Sequence, residues 1–275
     1  MMLPYLSLSD GPSDKQYNCS THLSFGTASI KELTIMYDPV ILAKETEKIV
    51  IKENLRKYYR RGRGEKWYGG IASVYCCGCN LRCVFCWSSF PRDKPDKIGE
   101  FYAPQQVVRE LREVALKHGY KQLRMTGNEP TIGKDHLFGI LREVDQTNLL
   151  FILETNGILI GHDRHYSEQL SAFKNLHVRV SLKATGPQEF SRLTGATQES
   201  FNLQLAALKN LLDTGVSFHS AIMTSFVTAK GYEQLKSNLQ SIDNRLVSNL
   251  EEEHVILYPP VVERLKQAGL STKGI

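Results

Sequence analysis

GIASVYCCGCNLRCVFCW, residues 70–87, is the stretch that decides the fold. Residues 70–75 make an apolar run of strand length. The chain then breaks into a loop holding five of the six cysteines, Cys76, Cys77, Cys79, Cys83 and Cys86, while Cys19 stands alone. Such crowding is not the dispersed pattern of a disulfide-stapled secreted domain and points to metal chemistry in a reducing compartment. Cys79, Cys83 and Cys86 have the spacing CxxxCxxC. An electron-transfer 4Fe-4S cluster takes four thiolates, so three on a short loop leave one iron open to a chelating ligand. Structural zinc is the competing reading, because Cys76 and Cys79 form an additional CxxC, but zinc sites want ligands in two pairs and no second pair follows. Cys76 and Cys77, at the strand end, read as buried, inert thiols.

Further along, apolar runs recur at 122–126, 149–154, 177–182, 218–224 and 255–258, separated mostly by helical patterns. Val107, Leu111 and Val114 line one helical face and Phe201, Leu205, Leu208 and Leu212 another, with Gly119 and Gly215 as C-terminal stops. Parallel neighbours need crossover helices, so this alternation implies a parallel sheet. Six βα units are fewer than the eight of a closed barrel. The expected fold is therefore α/β, a partial (β/α)6 TIM-like barrel of parallel strands over residues 70–275. Residues 1–69 read as an N-terminal extension: an irregular leader, a helix from 38 to about 56, and a basic turn broken by Gly62, Gly64, Gly69 and Gly70. In parallel α/β folds the loops at the C-terminal strand ends build the site, so the residues there are the chemical candidates.

The 275 residues carry a net charge of +5 and ordinary apolar and charged fractions, as expected of a soluble globular protein. No apolar run approaches the roughly 20 residues of a membrane span, and the start MMLPYLSLSD lacks a basic region followed by an apolar one. The expectation is a cytoplasmic protein with no membrane partner. Much of the positive excess lies in Arg56, Lys57, Arg60, Arg61, Arg63 and Lys66, interleaved with Tyr58, Tyr59, Trp67 and Tyr68. That run permits an anionic partner without requiring one.

CxxxCxxC with an aromatic residue before its last cysteine, placed after the first strand of a six-strand βα array, resembles the radical S-adenosylmethionine (radical SAM) superfamily. The resemblance implies an enzyme with a 4Fe-4S cluster on Cys79, Cys83 and Cys86, whose open iron is chelated by the amino and carboxyl groups of S-adenosylmethionine. One electron would break the sulfur–C5' bond, and the 5'-deoxyadenosyl radical would abstract hydrogen from a substrate. It also implies that Phe85 lies near the adenine. TGNEPT, residues 126–131, is similar to the family's GGEP segment, which implies that Gly127, Asn128, Glu129 and Pro130 bind the methionine amino group. Pro130 holds Glu129 extended, offering carbonyls and carboxylate to an ammonium, and Asn128 replaces a glycine as a residue that tolerates positive φ. The third strand ends ETNG, putting Glu154 and Asn156 in the ligand crevice, although Asn156 and Gly157 read equally well as a turn. The fourth reads VSLKA, with Ser181 and Lys183 on one face. By resemblance these contact the ribose and carboxylate, Lys183 supplying a positive charge. Met223 and Ser225 share a face on strand five, as core or as site. Tyr258, at the end of the last strand, packs on adenine or closes the barrel.

From Cys79 to about residue 215 the sequence looks most like the activating enzymes that install a glycyl radical in a partner, whose third and fourth strands read DTNG and DLK. ETNG and SLK replace acids that build a monovalent cation site in those enzymes, and LYPP stands where they have LPYH. The FCW ending at 85–87 is similar to radical enzymes of tRNA wybutosine synthesis. The basic aromatic run suits phosphate contact and base stacking, and equally a solvated turn with its aromatics packed inward. An iron-sulfur relay or scaffold is the non-enzyme alternative; it wants a fourth ligand and no cofactor pocket. The expected partners are a low-potential donor of flavodoxin or ferredoxin type and a small-molecule, peptide or protein substrate rather than RNA.

Overall fold

Asp38 caps the first helix: its carboxylate accepts from the amides of Val40 (2.7 Å) and Ile41 (3.4 Å), and Pro39 stands at the first helical position of Pro39–Val50. The computed structural model describes residues 36–271, so the leader and Cys19 lie outside the described residues. After the helix come β1 (Ile51–Lys52), β2 (Leu55–Glu65), β3 (Ile71–Cys76), β4 (Glu100–Tyr102), β5 (Gln122–Gly127), β6 (Leu150–Thr155), β7 (Leu176–Leu182), β8 (Phe218–Met223) and β9 (Glu251–Glu253). They form one sheet in the order β1-β2-β3-β5-β6-β7-β8-β9, with β4 on β2. From β3 to β9 the path is parallel, while β1, β2 and β4 add antiparallel pairings. The path ends at β1 and β9 without closing, which is the partial barrel expected.

Two expectations are corrected. The basic run is not a turn but the long strand β2, antiparallel to β3. Its glycines do not break it: Gly62 falls in the register shift between Arg60 and Arg63, a bulge, and Gly64 keeps its register opposite Ala72. The sixth parallel strand is Glu251–Glu253 rather than 255–258. Glutamates have low strand propensity, and here the strand is held by what faces it: Arg179 bonds Glu251 (2.9 and 3.0 Å) and pairs with Glu253 (2.7 Å).

Strand alternation sorts the sheet into two faces. Ala72, Val74, Leu123, Met125, Phe151, Leu153, Val178 and Val180 join the apolar core with Val107 and Leu111 of helix Pro104–His118 and Leu208 and Leu211 of helix Phe201–Asp213. The opposite, concave face is polar: Ser73, Tyr75, Arg124, Thr126, Glu154, Arg179, Ser181, Glu251 and Glu253 are joined across the strands by hydrogen bonds and ion pairs. No helix among the described residues is long and apolar enough to cross a membrane.

Candidate active site

The loop that follows β3 lies at the C-terminal edge of the parallel strands, where Gly78 turns it with φ +80°. A Cβ there would stand 2.6 Å from Thr46 of the first helix, so only glycine lets the loop lie against that helix. Backbone bonds from Arg82 to Thr194 (3.2 Å) and from Val84 to Leu193 (2.9 Å) anchor it to helix Pro187–Thr194. Cys83 is buried and Cys79 and Cys86 are half-buried. Each cysteine carbonyl is gripped by a different arginine: Cys79 by Arg82 (2.6 Å), Cys83 by Arg92 (2.6 Å) and Cys86 by Arg264. Burial, with Glu129 next in effect, pushes the Cys79 thiol up to about 12, and burial pushes Cys83 to about 11. A buried thiol loses its proton when a metal takes its place, and with Cys86 these are three sulfur donors within eight residues, a set that fits an iron-sulfur cluster. Cys76 and Cys77 do not join them. Both are fully buried in the core, and Cys77 Sγ meets the Ile98 carbonyl at 3.6 Å.

β5 ends at Gly127, where φ is +102° and a Cβ would press the Cys76 amide at 3.0 Å and the Tyr59 ring at 3.2 Å. The positive φ therefore falls on Gly127 and not on Asn128. Asn128 donates Nδ2 to the Ser88 carbonyl (3.1 Å) and Oγ (2.9 Å), which fixes its amide and leaves its buried Oδ1 without a protein partner. Ser88 Oγ in turn lies 3.7 Å from Cys86 Sγ. Glu129 departs from the expectation of a carboxylate offered to an ammonium. It is buried, with Oε1 accepting from Thr131 N (3.1 Å), Thr131 Oγ1 (2.6 Å) and Thr155 Oγ1 (2.6 Å), and Oε2 from Asn156 N (2.8 Å). Pro130 follows it, and the fully buried Arg56 donates to its carbonyl at 2.8 Å. Glu129 is thus a brace between the ends of β5 and β6.

Asn156, at the end of β6, points back to the cysteine loop. Its Nδ2 bonds Asn80 Oδ1 (2.7 Å) and reaches Cys79 Sγ (3.9 Å), while Gln204 holds its carbonyl (2.6 Å). Glu154 faces the concave side with Arg124 (3.2 Å), Thr126 and Tyr68 (2.8 Å). Burial opposes its charge, but Arg124 and Arg179 outweigh it and hold the carboxyl below the ordinary range, so this acid is committed to arginines and is not an open cation ligand. On β7, Ser181 Oγ donates to Glu253 (2.8 Å) and accepts from Lys183 Nζ (2.6 Å), and Lys183 is close enough to Cys83 to favour its thiolate. The Phe85 ring is buried and stacked on Phe226, with centroids 5.6 Å apart. Tyr258 ends no strand: it caps helix Pro259–Gln267 and is 41% exposed. Arg82, Arg92, Arg264, Ser88, Gln204 and Phe226 were not singled out from sequence. Only Arg82, Ser88 and Arg92, within or beside the cysteine loop, left any local signal.

Residues 73–235 match the family model of the radical SAM superfamily. A probable GTP 3',8-cyclase of Sulfurisphaera tokodaii is 23% identical over 188 residues, covering 66% of this chain and 54% of that protein. A 7-carboxy-7-deazaguanine synthase of Rhodopirellula baltica is 36% identical over 89 residues, 32% of this chain and 30% of that one. The chain spans about half the length of the first of these curated relatives. Among solved structures, a spore photoproduct lyase variant with bound AdoMet and dinucleoside spore photoproduct superimposes with a TM-score of 0.52 at 14% identity, covering 76% of this chain and 64% of that one. Streptococcus suis SuiB bound to the precursor peptide SuiA gives 0.51 at 16% identity, covering 66% and 48%. These likenesses show a shared fold.

Proposed function

The chain belongs to the radical SAM superfamily, and on that premise we propose that Cys79, Cys83 and Cys86 hold a 4Fe-4S cluster with which the protein cleaves S-adenosylmethionine reductively for hydrogen abstraction from a small polar substrate. Held there, the cluster would supply the electron for reductive cleavage of the sulfur–C5' bond of S-adenosylmethionine, with methionine as the leaving group and the 5'-deoxyadenosyl fragment as the hydrogen abstractor. A low-potential carrier of flavodoxin or ferredoxin type provides the electron. The observation that carries the reading is the set of three cysteines, one buried and two half-buried, on the loop at the C-terminal edge of the first parallel strand, each with its carbonyl held by an arginine. Around them this chain's residues bind and orient. The unpartnered Asn128 Oδ1 accepts from the methionine ammonium beside Gly127, and Lys183 meets the methionine carboxylate with Ser181 behind it. Glu129 and Asn156 hold the two strand ends in register with the loop, Glu154 keeps the concave face charged, and Phe85 and Tyr258 flank the adenine side.

The names of two relatives denote enzymes of guanine-related small molecules, and the arginine and glutamate ladder on the concave face supports a polar heterocycle over RNA as substrate. Glycyl-radical activation has less support, since Glu154 is committed to ion pairs. Iron counts and absorbance on anaerobically reconstituted variants test the cluster assignment. Alanine at Cys79, Cys83 or Cys86 should abolish the cluster, and alanine at Cys76 should spare it. Loss of the cluster in the Cys76 variant with retention in Cys83→Ala would refute the reading.

A further inference from the structure

The three arginines on the cysteine carbonyls carry more charge than the fold answers. Asp93 pairs with Arg82 at 3.3 Å and with Arg92 at 2.6 Å. Arg264 feels Asp93 at longer range, yet among the described residues no carboxylate lies within ion-pair distance of it. Three guanidiniums thus face one carboxylate around three thiols. A carbonyl needs only a neutral donor, so hydrogen bonding alone does not account for cations here. Partly buried charges without counterions cost free energy unless an anionic group sits among them. Arg264 is also deliberately placed: Val261 and Leu265 bury one side of helix Pro259–Gln267, and Arg264 reaches from it to the carbonyls of Val84 (3.3 Å) and Cys86.

We infer that Arg264 sets the reduction potential of the cluster, its uncompensated charge favouring the reduced, more negative state through the Cys86 end of the loop. The inference rests on the cluster assignment proposed above. Arg264 is on this view a positioning residue with an electrostatic effect, and the C-terminal helix is part of the redox centre although 178 residues separate it from Cys86 in sequence.

A redox titration followed by electron paramagnetic resonance, on the anaerobically reconstituted full chain without S-adenosylmethionine, tests it. Arg264→Gln keeps an amide donor for the carbonyl and removes the charge; Arg264→Lys keeps the charge. Because the guanidinium is partly exposed, Arg264→Gln should lower the one-electron reduction equilibrium roughly threefold to tenfold, about 28 to 59 mV. Arg264→Lys should stay near the wild type, and the gap between Arg264→Gln and the wild type should narrow as salt is raised. A potential unchanged in Arg264→Gln, or an equal fall in both variants, would overturn the inference while leaving the cluster assignment intact. A wild-type protein that assembles no 4Fe-4S cluster would instead overturn that assignment, and the inference with it.

Discussion

Glu129 and Lys183, both read from sequence as methionine contacts, separate once their partners are known. Glu129 gives both carboxylate oxygens to Thr131, Thr155 and Asn156 inside the fold, so removing it strands several buried donors. Each buried group left unpaired costs about 1 to 3 kcal/mol, and Glu129→Ala should therefore destabilise the protein by about 3 kcal/mol or more. Lys183 makes one side-chain bond, to Ser181, and holds no such network together. Lys183→Ala should leave the unfolding midpoint nearly unchanged and weaken S-adenosylmethionine binding by about tenfold or more, the worth of a hydrogen bond to a charged group. Urea unfolding and equilibrium dialysis measure the two effects. A Glu129→Ala protein as stable as wild type, or a Lys183→Ala protein with full affinity, would contradict these roles.

β2 shows how an element changes the meaning of its residues. Arg56 is fully buried on the Glu129 carbonyl, Lys57 Nζ bonds the carbonyls of Pro95 (2.8 Å) and Asp96 (3.2 Å), and Arg61 pairs with Glu110. Three of the six cations of the run are thereby occupied, which leaves too few to grip several phosphates at once. Binding of bulk tRNA should be weak at physiological salt and show no steep salt slope, whereas an RNA site would lose affinity with a slope near 0.7 per phosphate contacted. Tight binding abolished by alanine at Arg60, Arg61 and Arg63 would restore the RNA reading. The same strand marks the limit of what was legible in the sequence. Five parallel strands announce themselves as short apolar-rich runs because most of their positions are buried. β2 does not, since Gly62, in the bulge between Arg60 and Arg63, and Gly64 read locally as breaks, and neither does β9, whose three glutamates become a strand only against Arg179 and His219. The cysteine loop could be picked out because its cysteines are close in sequence; the arginine from the last helix could not, because only the fold brings it there.

At the scale of the whole molecule, burial keeps two imidazoles neutral. His136, between Tyr58 Oη and the Asn54 carbonyl (2.7 Å each), is pushed from 6.5 down to about 4 by burial and then by Arg56. His177 is lowered to about 4 by burial and then by His219. The unfolded chain takes up these protons first, near pH 6.5, so the contribution to stability is complete above that pH and is lost as pH falls toward 4. Glu251 is held down to about 2, where burial opposes its charge but His219 and Arg179 prevail, and it extends the loss below its ordinary range. Urea midpoints should fall steadily from pH 7 to pH 4, and a flat profile would mean that neither histidine is buried in the neutral form. The proposed function needs the loop, the strand ends and the C-terminal helix to act as one centre. The most direct measurement is chromatography of the products after the loaded protein is given S-adenosylmethionine and a low-potential reductant. 5'-Deoxyadenosine and methionine are expected from the wild type and neither from Cys83→Ala; a wild-type cluster that is reduced and reoxidised without releasing 5'-deoxyadenosine would contradict radical S-adenosylmethionine chemistry and leave an electron relay.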